Sequence, residues 1–201
     1  QQMPFTVGVM LPTAIFGAAN YSAVAYQGLT HGAAGLIVSY GTQEMKDLYL
    51  PKMIAGDWQG TMALTEPQAG SSLTDLTTTG TPTDKGYYLM KGQKLFISAG
   101  DHDGCDNVIH LALGRVKDAP PGIKGISLFI IPKKRIKEDG SLEPNDVNCA
   151  GIYHKLGYKG TPITQLAFGE NEDCRGWLVG EANKGLGYMF QMMNGARIDV
   201  G

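Results

Sequence analysis

Met62-Ala63-Leu64-Thr65-Glu66-Pro67-Gln68-Ala69-Gly70-Ser71 begins as a strand and stops at Glu66-Pro67. Met62, Ala63 and Leu64 are apolar, and Pro67 has no N–H to give to a ladder. Gln68-Ala69-Gly70 then turns the chain, and Ser71-Ser72 offers hydroxyls and free amides. A strand end opening into a Gly/Ser loop is a common place to hold a polar ligand, although the same pattern describes an ordinary strand-to-turn transition.

Working outward, the sequence from Trp58 to about Val179 reads as strands. Gln59–Leu64 is the first, and the threonine-rich Asp75–Thr81 follows. Thr83-Asp84-Lys85-Gly86 is a turn signal before Tyr87–Met90, and Gly92 marks a turn or a bulge before Lys94–Ser98. Val108–Leu113 and Gly125–Ile131 are further apolar runs, separated by the turn-forming Ala119-Pro120-Pro121-Gly122. Short strands at intervals of about 8–12 residues predict an antiparallel sandwich or barrel. There is no βαβ alternation and no GxGxxG, which argues against a dinucleotide-binding doubly wound sheet.

Both flanks read as helix. Met10, Leu11, Ile15, Ala18 and Ala19 recur at helical spacing, Asn20-Tyr21-Ser22 caps or interrupts that run, and a second helix is expected from about Thr30, as its cap, to Ser39. Thr42 is a further N-cap, Pro51 is expected to break or restart the helix it opens, and Gly56 ends it. Tyr188, Met189, Met192, Met193 and Ile198 mark a last helix from Gly187, where the methionines read as core. The fold class is therefore α+β: a β-sandwich or barrel middle domain over 58–180, with the end of an N-terminal helical domain over 1–57 and the start of a C-terminal one over 181–201.

Composition limits the function classes. Of 201 residues, 43% are hydrophobic and 18% charged, and the formal charge is -2, so the chain is globular. Lys133-Lys134-Arg135 is the one basic cluster and reads as a solvated strand exit, which leaves nucleic acid without a footprint. Cys105, Cys149 and Cys174 have neither metal-ligand spacing nor an even count, and a reducing compartment suits them. Asp101-His102-Asp103 is read as a solvated loop, because no residue is spaced to complete a metal set. His31 and His154 read as packing, capping or turn residues, and His110 lies on a sheet face. Neither end looks like a natural terminus, so the chain reads as an excised piece of a longer protein.

Leu64-Thr65-Glu66-Pro67-Gln68-Ala69-Gly70-Ser71 also resembles the flavin-binding signature of acyl-CoA dehydrogenases. Gly41-Thr42-Gln43-Glu44-Met45-Lys46, Tyr49-Leu50-Pro51-Lys52 and Gly56-Asp57-Trp58 lie upstream in that family's order. Gly92-Gln93-Lys94-Leu95-Phe96-Ile97-Ser98, Lys155-Leu156-Gly157 and Gly185-Leu186-Gly187 follow downstream. The resemblance covers nearly the whole chain and is closest to the long bacterial branch that includes 3-methylmercaptopropionyl-CoA dehydrogenase.

What the resemblance implies is an FAD enzyme that removes a proton from Cα of an acyl-CoA thioester while a hydride passes from Cβ to flavin N5. It places Met62, Leu64, Thr65, Gly70, Ser71, Phe96, Ile97 and Ser98 along FAD, with the Ser98 hydroxyl near N5 and Phe96 where many members have Trp. Ser71, Asn194 and Arg197 would meet acyl-CoA, with Asn194 standing where Asp is frequent. No catalytic residue is assigned: one position used for the base in some members is Ala196 here, and Glu66 belongs to the flavin loop. The implied partners are an electron-transfer flavoprotein as electron acceptor and further copies of the chain in a homodimer or higher oligomer, in a bacterial cytoplasm. An acyl-CoA oxidase and a non-enzymatic β-sandwich binding module are the alternatives.

Overall fold

The computed structural model describes residues 11–200; Met10 and the other residues of 1–10, and Gly201, lie outside the described residues. Helix α1 (Leu11–Tyr40) is kinked at Asn20, whose backbone is non-helical (φ -158, ψ 92) and whose Oδ1 accepts from Ala23 N–H at 3.4 Å. The interruption expected there is present. Thr30, in contrast, is no cap: it lies inside the helix, its Oγ1 donating to Tyr26 O at 2.8 Å and accepting from Gly60 N–H at 3.1 Å. The hydroxyl fastens helix to sheet instead of starting a helix.

Helix α2 (Gln43–Ala55) has the predicted ends. Thr42 accepts from Met45 N–H, and Gly56 adopts the left-handed conformation at φ 86. Pro51 does not break it; the helix runs through, with Tyr49 and Met53 buried on either side of the proline. That packing and the two caps outweigh one missing N–H.

Ten strands follow: β1 (Trp58–Ala63), β2 (Thr79–Pro82), β3 (Tyr88–Ser98), β4 (Asn107–Val116), β5 (Ile126–Pro132), β6 (Lys134–Ile136), β7 (Leu142–Pro144), β8 (Val147–Tyr153), β9 (Ile163–Phe168) and β10 (Arg175–Leu178). Helix α3 (Gly185–Val200) ends the described chain. The neighbour order β4-β5-β10-β3, with β2 pairing both β3 and β4, closes a barrel. Strand β1 extends it beside β4, while β9 and β8 extend it from the far half of β3. The barrel is mixed, since β1 and β2 each pair with β4 in parallel and the other sheet pairings are antiparallel.

Two cores result. Ile109, Leu111 and Leu113 of β4 and Ile126, Leu128 and Ile130 of β5 join Ala33, Leu36 and Ile37 of α1 and Met189 and Met192 of α3. Ala112, Phe129 and Ile131 point the other way, into the barrel, with Met90, Ile97, Leu166 and Phe168. Burial on both faces explains why these strands read as unbroken apolar runs. The methionines are core, as their spacing predicts.

Two strand predictions are corrected. Asp75–Thr81 shortens to Thr79–Pro82 because the Thr77 and Thr78 amides are taken by the Glu66 carboxylate. Tyr87–Met90 and Lys94–Ser98 merge into one strand; Gly92 stays in it, where a Cβ would lie 2.3 Å from Thr78 Oγ1. That glycine permits close packing and forms no turn. Phe129, fully buried beside Tyr88 (ring centroids 5.3 Å apart), fills the barrel. Phe129→Ala should cost about 3–5 kcal/mol in urea denaturation; a loss of under about 1 kcal/mol would show the barrel interior to be loosely filled.

Candidate functional site

Beyond Ala63 the chain leaves β1 and is tied to β3 rather than to the strand it came from. Leu95 N–H donates to Thr65 O at 2.8 Å, and Lys94 Nζ donates to Leu64 O at 2.9 Å. Lys94 Nζ also meets Glu66 Oε1 at 2.8 Å, both side chains being essentially inaccessible (0% and 1% exposed). Glu66 then collects Gln68 Nε2, the Thr77 amide and hydroxyl, and the Thr78 amide. A reciprocal pair of backbone bonds between Glu66 and Ala69 closes the turn the sequence predicts. The 62–71 segment is therefore fastened to β3 at Lys94 and Leu95, immediately before Phe96–Ser98.

Burial alone would raise the Glu66 carboxyl, but the Lys94 ammonium and the hydrogen bonds from Lys94, Thr78 and Thr77 outweigh it and hold it at about 2. Burial lowers Lys94 to about 8 against the attraction of Glu66. The depressed carboxyl makes Glu66 a weak base and fits its placement outside catalysis. Because the folded value lies below the ordinary 4.5, its stabilisation is complete above that pH and is lost as pH falls toward 2.

Strand parity aims the second segment. Met90 and Lys94 face inward, and a bulge between Lys94 and Ile97, with Phe96 at φ 59, reverses the alternation so that Ile97 is buried instead. Phe96 is thereby 57% exposed, its ring 4.7 Å from that of Tyr153, and Ser98 is half-buried beside it. Ile97, at 2% exposure, has its side chain in the barrel and leaves only backbone for the outer face. Of the first segment, Leu64 is buried and Met62 half-buried against the helix-side core, Thr65 is half-buried, and Gly70 and Ser71 are exposed. A Cβ on Gly70 would meet nothing nearer than Thr65 Cγ2 at 3.8 Å, so the loop is open above it. An exposed flat ring, two hydroxyls and a bare loop suit a planar, polar-edged group such as a flavin.

Asn194 and Arg197 lie on exposed positions of α3, and Arg197 Nη1 approaches Asn194 Oδ1 at 3.4 Å. Among the described residues, no hydrogen bond joins them to the 62–71 and 96–98 wall. Lys94 and Tyr153 were missed as parts of this site. Lys94 was legible in one respect: it shares strand parity with Met90 and Gly92, which is unusual for an exposed lysine. Tyr153 is brought in by the β8–β9 pairing, for which the sequence carries no local signal.

The other titratable clusters have structural explanations. His102 Nδ1 accepts from Gly104 N–H, so its Nε2 carries the proton and donates to Gln59 Oε1 at 2.6 Å. Lys133 pairs with Asp101 in the same polar cleft of about 500 Å³. No described group of His, Cys, Asp or Glu is placed to hold a metal ion. His110 is fully buried, bonded through Nδ1 to Thr61 Oγ1 at 2.7 Å, and burial, then the Lys133 charge, push it down to about 3. Two cations of the basic run are paired with carboxylates, Lys133 with Asp101 and Arg135 with Glu143 and Asp173, while Lys134 Nζ donates to Asp106 O at 2.9 Å.

Residues 61–170 match the profile of the acyl-CoA dehydrogenase middle domain. The chain belongs to the acyl-CoA dehydrogenase family. A butyryl-CoA dehydrogenase of Syntrophomonas wolfei is 46% identical over 190 residues, covering 91% of this chain and 31% of the relative. The 3-methylmercaptopropionyl-CoA dehydrogenase of Ruegeria pomeroyi is 45% identical over 174 residues, covering 86% and 29%. The solved butyryl-CoA dehydrogenase of Megasphaera elsdenii superposes with a TM-score of 0.71 at 26% identity, covering 90% and 44%. The chain thus spans about a third of the length of the curated relatives it matches.

In this acyl-CoA dehydrogenase chain, Lys94→Met would strand a buried carboxylate and should cost about 3–5 kcal/mol in urea denaturation, with Lys94→Met/Glu66→Gln recovering part of the loss. Equal loss in the single and double variants would show that the two groups are not coupled.

Proposed function

We propose that the chain forms the flavin-facing part of an FAD-dependent enzyme that introduces an α,β double bond into an acyl-CoA thioester. The fastening of Met62–Ser71 to Lys94 and Leu95, which lead directly into Phe96–Ser98, carries this reading, and membership of the family supports it. A bound flavin would supply the acceptor for the Cβ hydride. In this reading Phe96 presents an apolar face to its ring system, and the Thr65 and Ser98 hydroxyls serve its polar edge. Met62, Leu64 and Ile97 support that wall from behind, Gly70 admits close backbone approach, and Ser71 lies where flavin and acyl-CoA meet. Asn194 and Arg197 serve the CoA portion from α3.

No catalytic base is assigned to this chain. Ala196 cannot accept a proton, and Glu66 is committed to Lys94. The division into 1–57, 58–180 and 181–201 is part of the same proposal, as are a homodimeric or larger assembly, an electron-transfer flavoprotein as acceptor, and a bacterial cytoplasmic location. No described helix is long and apolar enough to cross a membrane.

The test uses the protein from the complete reading frame. It should take up FAD and lose the flavin's visible absorption when butyryl-CoA is added without oxygen, and Ser98→Ala should weaken FAD binding by about ten-fold, the equivalent of one lost hydrogen bond. Protein that stays colourless with added FAD would refute the reading. Peroxide formed in air at the rate of substrate loss would identify an oxidase instead.

A further inference from the structure

We propose that Glu66 and Lys94 are positioning residues that set the geometry of the flavin wall, an inference that rests on the function proposed above. Residues 64–78 run between β1 and β2 without joining the sheet ladders. Arg115 holds the middle of this loop, donating to Leu76 O at 2.9 Å and Thr74 O at 2.6 Å, and one carboxylate and one ammonium tie its two ends. Glu66 bonds the amides of Thr77 and Thr78 at the loop's far end, while Lys94 reaches Leu64 O at its near end. Gln68 braces the interior, donating to Glu66 Oε2, Thr77 Oγ1 and Asp75 O.

The pair therefore lies directly behind the outward groups. Thr65 is flanked by both anchors, Leu64 O and Glu66, and its own carbonyl accepts from Leu95 N–H. Phe96 follows Leu95, at the bulge that begins after Lys94. A shift of the pair would move the Thr65 hydroxyl and the Phe96 ring relative to each other, although neither Glu66 nor Lys94 is exposed on that face. Buried ion pairs add little net stability compared with well-packed apolar replacements, and their best-attested use is to enforce one arrangement. Here the arrangement enforced is the spacing of two segments that share no ladder.

The experiment compares Glu66→Gln, which keeps the shape and removes the charge, with Phe129→Leu, a barrel change remote from the loop. Both are made in the protein from the complete reading frame. Amide hydrogen exchange on flavin-free protein should be about ten-fold or more faster at Thr77, Thr78 and Leu95 in Glu66→Gln, with β4 and β5 unchanged. FAD dissociation should rise by about ten-fold or more in Glu66→Gln alone, while the KM for butyryl-CoA stays within about two-fold. Unchanged exchange at the three amides would overturn the proposal, as would faster exchange with unaltered FAD affinity. Equal weakening of FAD binding by Phe129→Leu would reduce the pair to general stability. If the parent protein binds no FAD, the functional reading fails and the positioning role falls with it, while the exchange data separately report whether the pair orders the loop.

Discussion

A single buried ion pair joins parts of the chain that the β-ladders leave separate. Glu66 and Lys94 are almost wholly withdrawn from water, and every strong contact they make is with the loop between β1 and β2 or with each other. Two charges in such a place are tolerable only when each is answered by the other and by hydrogen bonds. The carboxylate has five donor groups around it: one ammonium, two amides, one hydroxyl and one carboxamide. With Arg115 bonding Leu76 O and Thr74 O in its middle, that satisfaction lets the loop be long, lie outside the sheet ladders and still have a defined path.

The barrel supplies the rigid frame for this arrangement. Strand β3 spans both parts of the sheet, pairing with β2 and β10 in its first half and with β9 in its second. The helices cover the opposite side of β4 and β5, with Ala33 and Gly60 so close that a Cβ on Gly60 would sit 2.4 Å from the alanine methyl. Phe96 is exposed, and its ring lies beside that of Tyr153 from β8.

Much of this was legible in the sequence where the signal was local. Thr42, Gly56, the kink at Asn20, the methionine core of α3 and the β character of the middle all follow from capping chemistry and periodicity. The misreadings arose where a distant partner overrode the local signal. Thr30 looks like a cap but serves Gly60, thirty residues away. The threonines at 77 and 78 look like strand but give their amides to Glu66. The nearness of 62–71 to the second half of β3 was expected from a family resemblance; alternation alone could not reveal it, because the Lys94 side chain that ties Leu64 and Glu66 to β3 reads in isolation as a surface charge.

The bulge in β3 has a consequence for how the strand finds its place. Its two halves obey opposite alternation because β3 takes three steps from Lys94 to Ile97 while β9 takes two from Leu166 to Thr164, and a one-residue slip would carry Met90 and Ile97 out of their apolar surroundings together. Deleting Leu95 or Phe96 would remove that extra residue and leave Met90, Lys94 and Ile97 on one uninterrupted alternation, so the strand would keep its pairing with β9 and lose only the corner at which its chain turns.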